Sequence, residues 1–518
     1  MIAHTNQRCI AKILPLLLLS AISCNAEALT PPSAAQIRGL AKAMLSSNPP
    51  SCPGAYNKGI PGKVVSYNGL STLLSSQLIS SPSVSAIQAD QTLKAKPYLN
   101  LPLPNGGILG GFTPAIQGVS IYRIQYTSTT PAGNSTIVSG LVVFPQGSMS
   151  GGMVVYDHAT QVSAISGAPS YPSGEACMII TAMGGKGRVI AMPDYLGFGV
   201  NKDSHPYALG IQNAPAGIDI ITATRELAQQ LFPGRSIGSP LFITGYSEGG
   251  GNALWLGRQL ESLGQTNMQP TLMAPMSGNY DMTGATANSL IVDQPLVTVT
   301  LAAKPVLVAF AAQGAAGVSG ASLTSLLQPS FAAFDQSNPL PINYSANSRI
   351  LSYITNVEKT AFSLGYVSKT LNPDILMQSS LVSAIQTTNR SNPVVSLWYQ
   401  NNDINWTPKA PIYATGILQD QIVPFAASSY PPPSNYIGGK PFFSQGNSEN
   451  LISTMRSNGY GAAKVSWCGI DAEKITENNG KQETINHLTG VIPVSILAEK
   501  AIEAGGTLSG LPVLADPM

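Results

Sequence analysis

The stretch "LFITGYSEGGGNALW" (residues 241–255) decides how the chain is read. "LFIT" has the character of a short buried strand. Gly245 breaks it, Ser247 follows two residues later, and the chain can then run on as a helix through "GGGNALWLGRQL". A serine on a tight strand-to-helix turn is the arrangement of a nucleophile elbow. Small residues at 245 and 249 let backbone segments approach while Ser247 Oγ projects above the sheet. The helix N-terminus favours developing negative charge beside it.

The G-x-S-x-G pattern alone says little. In a chain of this length, rich in Gly and Ser, about half a match is expected by chance. The sequence supplies its own control, because "GRSIG" (234–238) also matches. No strand feeds it, Pro240 follows closely and no helix starts there, so it reads as a surface turn.

Upstream, "VSIYRIQYTSTT", "PAGNS" and "TIVSGLVVFP" read as strand, turn and strand of a β-hairpin. "GGMVVYDHAT" is a short buried strand ending in polar residues, and "GEACMIITAM" has helical spacing. "GRVIAMPDYLGFG" is strand then loop. "APAGIDIITATRELAQQLF" places Ile218, Ile221, Leu227 and Leu231 on one side of an amphipathic helix. "QPTLMAPMSG" adds a strand after the elbow helix. Strands alternating with helices predict a mostly parallel sheet with helices on both faces, an α/β fold.

The alternation stops after Met282 and resumes at "APIYATGILQD", "AKVSWCGI" and "VIPVSILAEKAIEA". Residues 283–408 are therefore expected to form a helical cap, or lid, inserted between the two parts of the core, 119–282 and 409–518. Within the cap, "LVTVTLAAKPVLVAFAAQGAAGV" has the length of a membrane span. Lys304 and Pro305 in its middle argue for a buried helical hairpin or a lid surface instead. Val308 and Phe310 in this stretch are expected to line an acyl site above Ser247, with ordinary core packing as the alternative. Residues 29–118 read as a Pro-, Ser- and Gly-rich N-terminal extension with one helical pattern, "AAQIRGLAKAML".

Serine needs a base, and imidazole is the usual one. Of His4, His158, His205 and His487, only His487 follows Ser247, as the order nucleophile, acid, histidine requires. The acid should orient that imidazole. Asp420, at the end of the "APIYATGILQD" strand, is the first choice. Asp281, after "TLMAPMSGNY", is its competitor. Two N–H donors are needed for an oxyanion. One is the amide of Glu248, and the other comes from the "YDHAT" loop (156–160), where His158 offers a backbone or a side-chain donor. The Glu248 carboxylate reads as exposed at the elbow and is given no role.

Only 10% of the chain is charged, against about 25% in an ordinary soluble domain. The net charge is +2 and no long basic run occurs, so nucleic acid is not an expected partner. "MIAHTNQRCIAK", "ILPLLLLSAI" and "CNAEA" have the charged, apolar and small-residue order of a secretory signal over residues 1–28. They predict a secreted or periplasmic protein with a mature start near Glu27 or Leu29. Cys52, Cys177 and Cys468 then permit one disulfide, and spacing leaves the pair open. No Cys–x–x–Cys pair occurs and the histidines lack metal-ligand spacing; no metal or organic cofactor is expected.

In their joint order, "YRIQYTSTT…IVSGLVVFP", "YDHAT", "PDYLGFG", "GYSEGG", "GILQDQIVPF" and "NHLTGVIPVSILA" resemble the secretory lipase family of α/β-hydrolases, the lipase A type, with its bacterial relatives. The resemblance spans residues 118 to 500. It implies an α/β-hydrolase core with a helical lid before the acid-bearing strand. It implies Ser247, Asp420 and His487 as triad, with Glu248 and the "YDHAT" loop as oxyanion hole, and hydrolysis of carboxylic esters, including acylglycerols. The chain departs from fungal members at His158, where they tend to carry an acidic residue. A lipid or small-molecule ester is the expected partner, with transient contact at a lipid interface. Two rivals remain, a serine peptidase on the same fold and a catalytically silent hydrolase-fold binding protein.

Overall fold

A computed structural model describes residues 61–518 except 166, 171–172, 292–297, 344–346, 370–371, 428–442, 472–473, 477–481 and 518, together with positions 35 and 56. The expected leader at 1–28 and Cys52 lie outside the described residues, as does the helical pattern at 34–45 except for Ala35.

The sheet is built from β1 (Val65–Ser66), β2 (Leu73–Ser80), β3 (Val119–Thr129), β4 (Ser135–Pro145), β5 (Met153–Asp157), β6 (Val189–Pro193), β7 (Leu241–Tyr246), β8 (Leu272–Met276), β9 (Ile412–Ile417) and β10 (Val465–Ile470). Their spatial order is β1-β2-β3-β4-β6-β5-β7-β8-β9-β10. Every pair from β6 to β10 is parallel, and β1 to β4 form an antiparallel flank that joins at β6.

The main helices are α1 (Val84–Ala95), α2 (Gly174–Met183), α3 (Gly210–Leu231), α4 (Glu248–Leu263), α5 (Thr298–Ser319), α6 (Asn347–Leu364), α7 (Pro393–Gln400), α8 (Asn447–Ser457) and α9 (Val491–Glu503). The parallel strands are buried end to end. This is why they read as unbroken apolar runs rather than alternations. Their side chains still alternate between two cores. Val154, Tyr156, Phe242 and Ala274 pack with α1, α2 and α9, whereas Val155, Ile243, Met273 and Ala414 pack with α3, α4 and α8.

The N-terminal region contributes more than an extension. β2 pairs along β3 and α1 packs beneath α2. The backbone N–H groups of Thr72 and Leu73 are held by the carboxylate of Glu226 from α3.

Between β8 and β9 the chain is helical, with an apolar cluster of its own that includes Leu301, Phe310, Phe331, Val357 and Trp398. Of the two expectations at Pro305, a buried helical hairpin or a lid surface, the hairpin does not form: one helix, α5, continues through the proline. A proline inside a helix frees the carbonyl four residues earlier. Here that carbonyl, Leu301 O, accepts from the Tyr366 hydroxyl at 2.7 Å. The same device serves Pro215 in α3, where Ile211 O accepts from Gln259 Nε2 at 3.1 Å. Residues Leu301–Ser319 are long and apolar enough to cross a bilayer, yet 61% of the most apolar window is buried inside the molecule.

Cys177 is disulfide-bonded, with a partner outside the described residues, and Cys468 in β10 is a buried free thiol.

Candidate active site

The C-terminal ends of parallel strands lie along one edge of the sheet, so the loops that leave them converge. Ser247 leaves β7, Asp420 follows β9, and His487 stands in the turn that leads into α9.

Ser247 has φ 59° and ψ −120°, a backbone conformation that costs a non-glycine residue about 1–3 kcal/mol. Two glycines make the turn possible. A Cβ at Gly249 would collide with the carbonyl oxygen of Asp157, and one at Gly245 with that of Gly249. By contrast, the other G-x-S-x-G match lies in an irregular segment after α3, with Ser236 exposed.

Ser247 Oγ lies 2.7 Å from His487 Nε2, and His487 Nδ1 lies 2.6 Å from Asp420 Oδ2. Asp420 Oδ1 accepts from the backbone N–H groups of Ile422 and Val423, both at 2.9 Å. The Tyr246 hydroxyl donates to His487 O at 2.6 Å and so ties the histidine turn to the elbow strand. All three side chains are buried. Asp281, the competing acid, is engaged elsewhere. Its carboxylate accepts from the N–H groups of Gly284 and Ala285 and from Asn450 Nδ2, capping the π-helical turn Met282–Thr286.

Glu248 is the first residue of α4, and its N–H has no partner among the described residues. It stands at the positive end of the helix dipole, beside Ser247. The loop after β5 is fixed by Glu175, which accepts from Ala159 N at 2.8 Å, Gln161 Nε2 at 2.6 Å and the Tyr156 hydroxyl at 2.7 Å.

The His158 side chain does not turn toward Ser247. Its Nδ1 pairs with Ala159 O at 2.7 Å and its Nε2 with Asp194 O at 3.2 Å, while the ring stacks on Tyr195 with centroids 4.2 Å apart. The ring is held because two carbonyls and an aromatic face claim it. The loop residues that reach the space beside Ser247 and His487 are Ala159, Thr160, Gln161 and Val162.

Two largely apolar chambers meet at Ser247. One is bounded by Tyr207, Met282, Leu290, Lys304, Ala311 and Trp398. The other is bounded by Gln161, Val162, Met178, Val306, His487 and Leu488. Ala303 and Leu307 of α5, with Ile422, line both. Val308 and Phe310, expected at this site, are not there. Both are fully buried in the core of the helical insertion, and Phe310 packs on Tyr207 with ring centroids 4.8 Å apart. They lie on a different face of α5 from Ala303, Leu307 and Ala311, which repeat every four residues.

A buried polar cluster lies behind the elbow that the sequence did not announce. The Glu248 carboxylate is buried rather than exposed. It pairs with His205 Nε2 at 2.7 Å and accepts from Ala208 N at 3.1 Å. Burial pushes the nearby Asp157 carboxyl well above the usual carboxylate range; a Tyr195 hydrogen bond opposes the shift and the Glu248 charge adds to it. No local pattern marks these residues, because His205, from the loop between β6 and α3, and Glu248, the first residue of α4, are brought together from separate parts of the chain. Among the described residues, no group of three or more His, Cys, Asp or Glu is placed to hold a metal ion.

No family model and no curated protein matches the chain. Solved structures do. The rice cell wall degrading esterase LipA from Xanthomonas oryzae aligns with a TM-score of 0.61 at 18% identity, covering 84% of this chain and 99% of that one. A candidate hydrolase from Legionella pneumophila aligns with a TM-score of 0.61 at 21% identity, covering 84% and 98%. Candida antarctica lipase A aligns with a TM-score of 0.50 at 16% identity, covering 77% and 81%. At such identities the likeness is one of fold. Together with the mostly parallel sheet, helices on both faces and the elbow at β7, it gives this chain the α/β-hydrolase fold.

Proposed function

We propose that the protein is a secreted serine hydrolase of carboxylic esters with apolar acyl groups, of the lipase A type. The observation that carries this reading is the relay Asp420–His487–Ser247, two short hydrogen bonds ending on a strained serine where two apolar chambers meet.

In this reading His487 Nε2 takes the proton of Ser247 Oγ as the oxygen attacks the ester carbonyl. Asp420 holds Nδ1–H and stabilises the imidazolium. The negative charge that develops on the carbonyl oxygen meets the Glu248 N–H at the start of α4 and a second donor from the loop at 159–161. His487 then protonates the leaving alcohol. It next activates a water that attacks the acyl-enzyme, releasing the acid and restoring Ser247. The chambers suit apolar acyl and alcohol groups, one on each side of the scissile bond.

The test is turnover of 4-nitrophenyl esters of graded chain length beside the matching anilides, with fluorophosphonate labelling of Ser247. Ester cleavage with slow anilide cleavage is expected. Faster anilide than ester turnover would move the reading to a peptidase. Absence of both turnover and labelling would make the fold a binding scaffold. Secretion is tested separately by N-terminal sequencing of the exported protein, expected to begin near Glu27 or Leu29.

A further inference from the structure

The mechanism above uses the Glu248 amide and leaves its side chain without a part. Yet that carboxylate is buried directly behind the nucleophile, one residue from Ser247, and its Oε2 has no partner among the described residues. A bare carboxylate there would oppose the negative charge that develops on the substrate oxygen.

The geometry of His205 bears on this directly. Its Nδ1 faces Leu196 O at 3.1 Å, and a carbonyl can only accept, so Nδ1 carries a proton. Its Nε2 faces Glu248 Oε1 at 2.7 Å. A hydrogen bond between those two atoms needs one further proton, on the imidazole or on the carboxyl. Wherever that proton resides, the pair as a whole is neutral.

Among the described residues, His205 is the one ionisable side chain within hydrogen-bond distance of the Glu248 carboxylate. Asp157, from β5, is held toward its neutral form by burial, and the Tyr195 and Tyr207 hydroxyls, from the loop between β6 and α3, are pushed up by burial as well. His487 is committed to Ser247 and Asp420, and Lys304 of α5, across the chamber, donates to Ser289 O. Packing alone does not account for a histidine here. The ring sits edge-on to Phe198 and parallel to Tyr195, which another aromatic ring would satisfy without supplying the proton.

We propose that His205 is a positioning residue for ester hydrolysis, clamping and neutralising the Glu248 side chain so that the Glu248 N–H meets the oxyanion with no bare carboxylate behind it. The inference rests on the ester-hydrolase reading. It places a second, buried histidine–carboxylate pair behind the triad, with an electrostatic rather than a proton-transfer task.

The test is a cycle of H205Q, E248Q and the double variant, followed by kcat and KM on a 4-nitrophenyl ester and by thermal unfolding. H205Q leaves an unneutralised carboxylate and is expected to lower kcat about thirtyfold with KM changed less than about threefold. E248Q, which removes the charge, is expected to lower kcat about threefold. The double variant is expected to return to the E248Q level rather than to the product of the two losses. Losses that multiply, or an H205Q effect confined to KM, would overturn the proposal.

If H205Q does not fold, E248D replaces it. The shorter acid keeps its charge but loses reach to His205, so it is expected to be slower than E248Q, and the opposite order would overturn the proposal. The same variants are compared by the rate at which a fluorophosphonate labels Ser247, a step that also builds charge in the oxyanion site. A wild-type protein that labels but turns over no ester would refute the ester reading alone, and the labelling rates would still decide for or against His205. A wild-type protein that does neither overturns both.

Discussion

Replacing Asp420 by Asn is the perturbation for which the structure specifies the outcome atom by atom. Asp420 Oδ1 accepts two backbone N–H groups, from Ile422 and Val423, and Oδ2 faces His487 Nδ1 at 2.6 Å. An asparagine has one acceptor and one donor end. The two N–H groups will claim the amide oxygen, so the NH₂ group must point at Nδ1. Nδ1 then becomes an acceptor and the imidazole proton moves to Nε2, where it faces Ser247 Oγ as a donor. The base is thus held in the wrong tautomer while the loop keeps its backbone hydrogen bonds. In serine proteases the equivalent change costs about 10⁴ in kcat, or about 5.4 kcal/mol of transition-state stabilisation. We expect a loss of that size with little change in KM or in the thermal midpoint. Asp281→Asn should do the reverse. One of its oxygens becomes a donor facing either the Gly284 N–H or the Ala285 N–H with Asn450 Nδ2, which should cost about 1–2 kcal/mol of stability with kcat nearly intact. Steady-state kinetics and thermal unfolding of both variants give the comparison. A larger kcat loss in Asp281→Asn than in Asp420→Asn would refute the assignment of the acid.

Ser247→Ala should abolish ester turnover and fluorophosphonate labelling while Ser236→Ala, in an exposed segment, leaves both unchanged; equal losses in two folded variants would sink the elbow assignment. Leu307→Trp should narrow both chambers and slow long-chain esters more than acetate esters, whereas Val308→Asn and Phe310→Asn should lower the unfolding midpoint by the equivalent of about 2–4 kcal/mol and reduce all chain lengths alike. A chain-length preference altered by Val308→Asn and not by Leu307→Trp would reverse the facing of α5. Burial raises the Asp335 carboxyl from 3.8 to about 7, against the Gln313 hydrogen bond. The folded protein therefore holds a proton that the unfolded chain has lost, so stability falls as pH rises from about 4 to about 7 and levels off above. Asp335→Asn should remove its own share of that slope, to which the raised Asp157 and Asp403 carboxyls also contribute, and stabilise the protein at alkaline pH, by at most about 4 kcal/mol; an unchanged slope in urea unfolding across this range would show that Asp335 does not contribute to it.

What the sequence revealed and what it hid divide along a physical line. The elbow was legible because a strand, a strained turn and a helix start must be adjacent in the chain, and glycines at 245 and 249 are a local requirement of that geometry. His487 was legible by elimination, since only one histidine follows Ser247. The parallel strands were legible because burial on both faces leaves no polar alternation. Features that depend on a partner far along the chain were not. Pro305 reads as a break until Tyr366 is seen to occupy the carbonyl it frees, and Pro215 until Gln259 does the same. β2 and α1 look like loop until β3 and α2 give them a surface to pair and pack with. The His158 side chain looks like an oxyanion donor until two carbonyls claim its ring. The facing of α5 is the sharpest instance. A helix that is apolar all round has no stripe to show which residues look toward the core and which toward the site. Val308 and Phe310 are as hydrophobic as Leu307, and only the position of the insertion over Ser247 separates them. The Glu248 side chain follows the same logic. An acid next to a nucleophile reads as an exposed elbow residue because burying a charge is costly, and that cost is met by His205, 43 residues away, which no local pattern connects to it.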